Sequence, residues 1–202
     1  MAIEFKRTKV AGHFPEIWRG ECRMLPGGFK PAQDFAVGTV LHRGTPLYVD
    51  FETMTAAVCK TAKVLSGGTT TKPRVAKGHL FAAGDVVTKN GDGASTPTIS
   101  AIDTSNADYD VLTLSAAYTG LAADDVLVES QAVTETGATA TSKYVPNAVV
   151  GAVKEFDGKG IPTIDAAYEA VVLYPSLACP VLDDWKNGIC LKSNPNILFI
   201  KQ

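Results

Sequence analysis

Thr39-Val40-Leu41-His42, then Arg43-Gly44, then Thr45-Pro46-Leu47-Tyr48-Val49-Asp50 reads as strand, tight turn, strand. Gly44 supplies the positive φ that such a turn takes. The same grammar continues downstream. Thr98–Ile102 and Asp110–Leu114 alternate as half-buried strands do, with residues 103–109 as the hairpin loop between them. Arg74–Val87 holds two short strands around Gly78, one of which carries His79, and Gly84-Asp85 turns the chain into Val86-Val87. Lys89-Asn90-Gly91-Asp92-Gly93 is a strong turn signal. Val126–Val128, Asn147–Val153, Ala170–Leu173 and Ile197–Ile200 add further β segments.

Two stretches are less clear. Glu52–Leu65 mixes helix-favouring alanines with strand-favouring Thr and Val. Residues 180–187 fit a short helix that starts near Pro180 and stops at Gly188. Residues 134–142 are small and polar, the composition of an exposed loop. There is no heptad pattern, no repeat of fixed period and no long amphipathic helix. The expected architecture is mainly β: a small β-barrel or sandwich body with short helices.

Upstream of Gly38 the pattern changes. Pro15, Gly20, Pro26, Gly27, Gly28 and Pro31 punctuate the chain too densely for a long helix or a sheet core. This gives two regions, an irregular N-terminal arm over residues 1–37 and a β-rich body over residues 38–202. The arm carries Phe5, Phe14, Ile17, Trp18, Met24, Leu25 and Phe29, more large apolar groups than a disordered tail holds. Either the arm packs across its own body or it docks on another chain.

The chain has 202 residues, with 19 Lys plus Arg against 21 Asp plus Glu for a net charge of −2. A chain that is 46% hydrophobic and 20% charged can bury an ordinary core. Lys6-Arg7-Lys9 and Lys72, Arg74, Lys77 are the densest basic groups, too sparse for a surface that tracks phosphates, so no nucleic-acid partner is expected. The charged N-terminus does not read as a secretory signal. The longest uncharged stretches, Val111–Ala123 and Ala170–Leu182, fall short of the roughly 20 residues that cross a bilayer, so no membrane association is expected.

Candidate chemistry is thin. Cys22, Cys59, Cys179 and Cys190 show no CxxC spacing, and reduced thiols are expected, with Cys59 and Cys179 as small buried hydrophobes. His13, His42 and His79 have no sequence-adjacent nucleophile, and a structural or surface role is the default for His79. No serine sits in a Gly-x-Ser-x-Gly elbow, and no phosphate loop occurs. Asp103, Asp108 and Asp110 lie near Ser105 and Asn106, an oxygen-rich loop without the calcium-binding order of an EF-hand, and turn chemistry accounts for it. The neighbours Asp124-Asp125 and Asp183-Asp184 point apart and form no acid–base couple. No catalytic, cofactor or metal residue is therefore assigned.

Several of these segments together resemble the head decoration and head-fibre proteins of tailed bacteriophages and prophages. They are Gly38–Leu41, Gly44–Val49, Ala62–Leu65, Lys77–Val87, Ile99–Asp103, Asp110–Leu114, Tyr144–Gly151 and Pro195–Ile200. The resemblance implies a non-enzymatic β-rich virion component, usually a homotrimer, that attaches to the major capsid protein and is assembled in the bacterial cytoplasm. It brings no catalytic residue and no cofactor. The apolar arm departs from the pattern, and Phe14, Ile17, Trp18 and Phe29 are the expected capsid contacts. The alternative is a thiol hydrolase using Cys22 or Cys179 with a histidine, which requires a depressed thiol pKa in a cleft.

Overall fold

The computed structural model describes residues 17–25, 28–93, 95–133 and 139–201. Strand accounts for 43% and helix for 3%, so the protein is mainly β. In chain order the strands are β1 (Arg23–Met24), β2 (Lys30–Pro31), β3 (Val40–Leu41), β4 (Pro46–Asp50), β5 (Thr55–Val58), β6 (Thr61–Leu65), β7 (Arg74–Ala76), β8 (Val87–Lys89), β9 (Asp92–Gly93) and β10 (Ile99–Asp103). They continue as β11 (Tyr109–Leu114), β12 (Val126–Glu129), β13 (Ala140–Thr141), β14 (Ala148–Val150), β15 (Lys154–Glu155), β16 (Ala166–Leu173), β17 (Lys186–Asn187), β18 (Cys190–Leu191) and β19 (Asn194–Ile200).

One ladder runs β16-β14-β4-β5-β2, with β2 parallel to β5. It returns to its start. Phe29, one residue before β2, exchanges both backbone hydrogen bonds with Ile164, two residues before β16, at 2.8 Å each. The sheet thereby closes around Phe29, Leu41, Leu47, Val49, Val58, Val150, Phe156 and Ile164. Ala56, Ala148 and Ala166 leave room for the two phenyl rings. Beyond this barrel β16 runs on, its second half parallel to β19, which leads to β18 and β17.

A second ladder, β10-β11-β7-β6-β12-β8, closes in the same way. Val86 and Thr98 bridge its two ends, supported by Val87 N–H to the Pro97 carbonyl at 3.0 Å and Ile99 N–H to the Asp85 carbonyl at 2.8 Å. Its interior holds Val64, Val75, Phe81, Val87, Ile99, Leu112, Leu114 and Leu127. Only Cys59 and Lys60 separate β5 of the first barrel from β6 of the second. The second barrel is thus an insertion between β5 and β14. A third apolar layer, including Cys59, Val128, Val149, Val172, Leu182, Trp185, Ile197 and Phe199, packs between the barrels and the C-terminal strands.

Several sequence expectations change here. Residues 39–50 do form strand, turn and strand, but the two strands do not pair: β3 joins β15, while β4 sits between β5 and β14. The turn itself is captured instead, because Gly44 N–H bonds the Val150 carbonyl at 2.8 Å. Gly44 has φ +79°, and a Cβ there would lie 2.5 Å from Leu177 Cδ2. The helix expected over 180–187 is a single 3-10 turn, Asp183–Trp185, since Trp185 is buried and Lys186–Asn187 is drawn into β17. His79 lies in a loop rather than in a strand, because Gly78 turns the chain just before it at φ +82°.

From residue 17 onward the described part of the arm packs across its own body, the first of the two alternatives its sequence leaves open. Residues 17–25 run antiparallel along the free edge of β16, with Leu173 N–H to the Ile17 carbonyl, Arg19 N–H to the Val171 carbonyl and Leu25 N–H to the Ala166 carbonyl, each 2.9 Å. Phe29 then enters the barrel core at 1% exposure. Phe5 and Phe14 lie outside the described residues. Residues 134–138 of the polar loop do too, and its end forms β13 against β9.

Truncating Phe29 should therefore act as a core deletion. Phe29→Ala is expected to cost about 3–5 kcal/mol in denaturant unfolding. Val37→Ala, at a side chain that is 73% exposed, is expected to stay within about 0.5 kcal/mol of the parent. Equal small effects would mean that Phe29 is not part of the core.

Candidate functional site

The seam between the barrels concentrates the buried polar side chains. Lys60 Nζ meets Asp85 Oδ2 at 2.8 Å, with the side chains 7% and 14% exposed. Asp85 Oδ2 also accepts Ala82 N–H at 2.8 Å. Glu129, opposite Lys60 on β12, receives Lys143 Nζ at 2.6 Å and Gln33 Nε2 at 3.2 Å. Gln33 stitches this seam to the first barrel, since its Oε1 accepts Val58 N–H at 2.7 Å and its Nε2 donates to the Val58 carbonyl at 3.0 Å. Burial pulls the Lys143 pKa down, but the hydrogen bond and charge of Glu129 outweigh it and the net shift is upward. Breaking one side of such a buried pair leaves an uncompensated charge, which is why these groups are held in matched pairs.

A second cluster joins Lys77, His79 and Asp110. Lys77 Nζ bonds Asp110 Oδ1 at 2.6 Å. His79 Nδ1 accepts Phe81 N–H at 3.2 Å, so the neutral ring carries its proton on Nε2. Nε2 lies 3.2 Å from Asp110 Oδ2 but without the alignment of a hydrogen bond, and it is otherwise unpartnered among the described residues. Desolvation lowers the His79 pKa, against the opposing pull of Asp110. A histidine pKa held below its unfolded value contributes stability above that value and loses it as pH falls through the folded pKa. Unfolding free energy should therefore decline as pH drops below 6.5, the ordinary histidine value, and His79→Gln should flatten that slope. Parallel slopes for the two proteins in denaturant titrations would remove His79 as the cause.

The two thiols named as candidate nucleophiles, Cys22 and Cys179, both have pKa values raised by burial. Burial pushes the Cys179 pKa up to about 12 and raises that of Cys59 well above the ordinary thiol value. Burial also raises the Cys22 pKa, with Arg43 pulling the other way. All four cysteines are free thiols, and Cys59 and Cys179 are buried as expected of small hydrophobes. Cys179 Sγ approaches the Gly78 carbonyl, at 3.9 Å, and not an imidazole nitrogen. Neutral-pH alkylation of native protein should spare Cys59 and Cys179 and label them only after unfolding. Fast labelling of either in the folded state would contradict their burial.

The carboxylate expectations resolve as turn chemistry. Asp103 Oδ1 accepts Ser105 N–H at 3.0 Å, and Asn106 Oδ1 accepts Asp108 N–H at 2.9 Å. Among the described residues, no group of three or more His, Cys, Asp and Glu side chains is arranged to hold a metal ion. Of the basic group, Arg74 stacks on the Tyr109 ring at 4.5 Å and Lys77 is tied to Asp110. One feature escaped the sequence reading. Ala82-Ala83-Gly84-Asp85 and Ala122-Ala123-Asp124-Asp125 make the same turn twice, with φ +97° at Gly84 and +72° at Asp124. In both, the final Asp accepts the first residue's N–H and pairs with a lysine at 2.8 Å, Lys60 or Lys89. The shared Ala-Ala-x-Asp-Val pattern was the available signal.

The surface offers two kinds of feature. One is a cleft of about 370 Å³ on the second barrel, lined by residues 64–70, Pro73 and residues 121–123, none of them ionisable. The other is a set of exposed apolar side chains on the first barrel's loops: Val37, Phe51, Met54, Val153 and Ile161. Ile161 is 84% exposed and Phe51 59%. Phe51 stands edge-on to Phe29, ring centroids 5.9 Å apart, which anchors its loop to the core. Val37 lies beside Gly158. The arm residues expected to reach a capsid are placed differently: Phe29 is inside the barrel, and Ile17 and Trp18 pack on the third apolar layer. No helix among the described residues is long and apolar enough to cross a membrane. No family model, curated protein or solved structure matches the chain.

Proposed function

We propose that the chain is a structural component of a tailed-phage head, a homotrimer that decorates the capsid or carries a fibre by binding the major capsid protein. The supporting observation is the exposed apolar set on a body whose own core is already closed. These side chains project from loops of the first barrel and are available for a partner to cover. Val37, Phe51 and Ile161 are the contact residues in this reading in place of Phe29, Ile17 and Trp18, which are engaged within the chain. Three copies meeting a three-fold capsid position would multiply weak contacts into firm attachment. With a net charge of −2, steering is slight and binding should depend weakly on salt.

Two measurements test this. Light scattering should give a mass three times the 21.3 kDa chain, and a monomer at micromolar concentration would reject the trimer. Co-sedimentation with assembled shells of a matching capsid protein should show saturable binding. Each exposed Val or Ile buried at the contact contributes roughly 1.5–3 kcal/mol, so Val37→Asp with Ile161→Asp should weaken binding about a hundredfold or more. The variant's unfolding curve should match the parent's. Unchanged affinity would dismiss this surface.

A further inference from the structure

The chain holds two Asn-Gly dipeptides, Asn90-Gly91 and Asn187-Gly188, and the fold treats them oppositely. We propose that Asn187 is a site of spontaneous covalent modification, deamidation through a cyclic imide, and that Asn90 is protected from it.

In this reaction the Gly188 backbone nitrogen loses its proton to solvent base and attacks Asn187 Cγ. A C–N bond forms, the bond from Cγ to the side-chain nitrogen breaks, and that nitrogen leaves as ammonia after taking a proton from water. Water then opens the imide at either carbonyl, giving aspartate or isoaspartate. Water is the only co-reactant. The step requires a free side-chain amide, a glycine N–H that is not held, and backbone room to bring the two together.

Asn187 meets all three conditions. It is the last residue of β17, a two-residue strand at the end of its sheet. Asn187, Gly188 and Ile189 are all exposed at the hairpin tip. Gly188 sits at φ +62°, with nothing within 4 Å of where a Cβ would be. Neither the Asn187 side chain nor the Gly188 N–H has a hydrogen-bond partner among the described residues.

Asn90 is held in place. Its Oδ1 accepts Val126 N–H at 2.9 Å, and its own N–H bonds the Val126 carbonyl at 2.6 Å. Gly91 is buried, with a Cβ position 2.8 Å from both Leu182 Cδ1 and Ser142 Oγ, and its carbonyl accepts Ser142 N–H at 3.1 Å. The rotation that closes the ring would break these contacts together.

Conversion at Asn187 adds a negative charge, and the isoaspartate form inserts a carbon into the main chain beside the Lys186–Leu191 and Asn187–Cys190 pairs. The full chain, held folded in mildly alkaline buffer at body temperature, is sampled over time by peptide mapping with mass spectrometry. Isoaspartate is labelled with an isoaspartyl-directed methyltransferase. The Asn187 peptide is expected to convert while the Asn90 peptide stays unchanged over the same interval. In denaturant the two sites should convert at similar rates, and Gly188→Ala should slow the folded reaction at Asn187. Equal rates in the folded protein, no conversion at Asn187, or a difference that persists in denaturant would overturn the inference.

Discussion

The reciprocal hydrogen bonds between Phe29 and Ile164 close the first barrel, and much of the remaining structure hangs on that closure. They join a residue near the N-terminal side to one near the start of β16, far apart in sequence. Without them the outer edge of β2 and the residues leading into β16 would present unpaired backbone groups. With them the interior around Leu47, Val49 and Val150 is sealed, and Phe29 fills it. The same closure fixes where residues 17–25 go, because the chain leaving Phe29 backward has the free edge of β16 beside it.

The placement of the second barrel depends on the first. Two residues connect β5 to β6, so the barrels cannot turn independently without breaking the seam. Thr61 Oγ1 donates to the Pro180 carbonyl at 2.8 Å, and Gln33 spans from Val58 to Glu129. Lys60 and Glu129 sit at this hinge as partnered buried charges, where mismatched placement would leave an ion unsatisfied. Such a seam favours one fixed arrangement of the barrels.

The strand grammar was legible because half-buried strands alternate and turns demand particular residues. The hairpin read over Thr98–Ile102 and Asp110–Leu114 is present with its bounds shifted by a residue, as Ile99–Asp103 and Tyr109–Leu114, with Asx turns at Asp103 and Asn106. The partners of strands were not legible. Thr39–Asp50 contains nothing that says β3 pairs with Lys154–Glu155, since pairing over such separations is set by the whole core. Which of its two courses the arm takes was not legible for a related reason. Prolines and glycines there signal irregularity, and Pro31 does sit in a strand, but one of two residues, where little of the ladder depends on its missing N–H. Of the surface set, hydrophobicity alone could not separate Phe29 from Phe51; one is inside the barrel and the other stands on its rim. The buried seam was invisible because Lys60, Asp85 and Glu129 look like ordinary surface charges until the register places them together.

Native-state hydrogen exchange at Phe29 and Ile164 tests the central claim most directly. If residues 17–31 are an integral part of the body, these two amides exchange only through global unfolding, with the same protection as Val58 and Val150 in the barrel core. If the segment is a detachable arm, Phe29 and Ile164 exchange early while Val58 and Val150 stay protected, and the closed-barrel account fails.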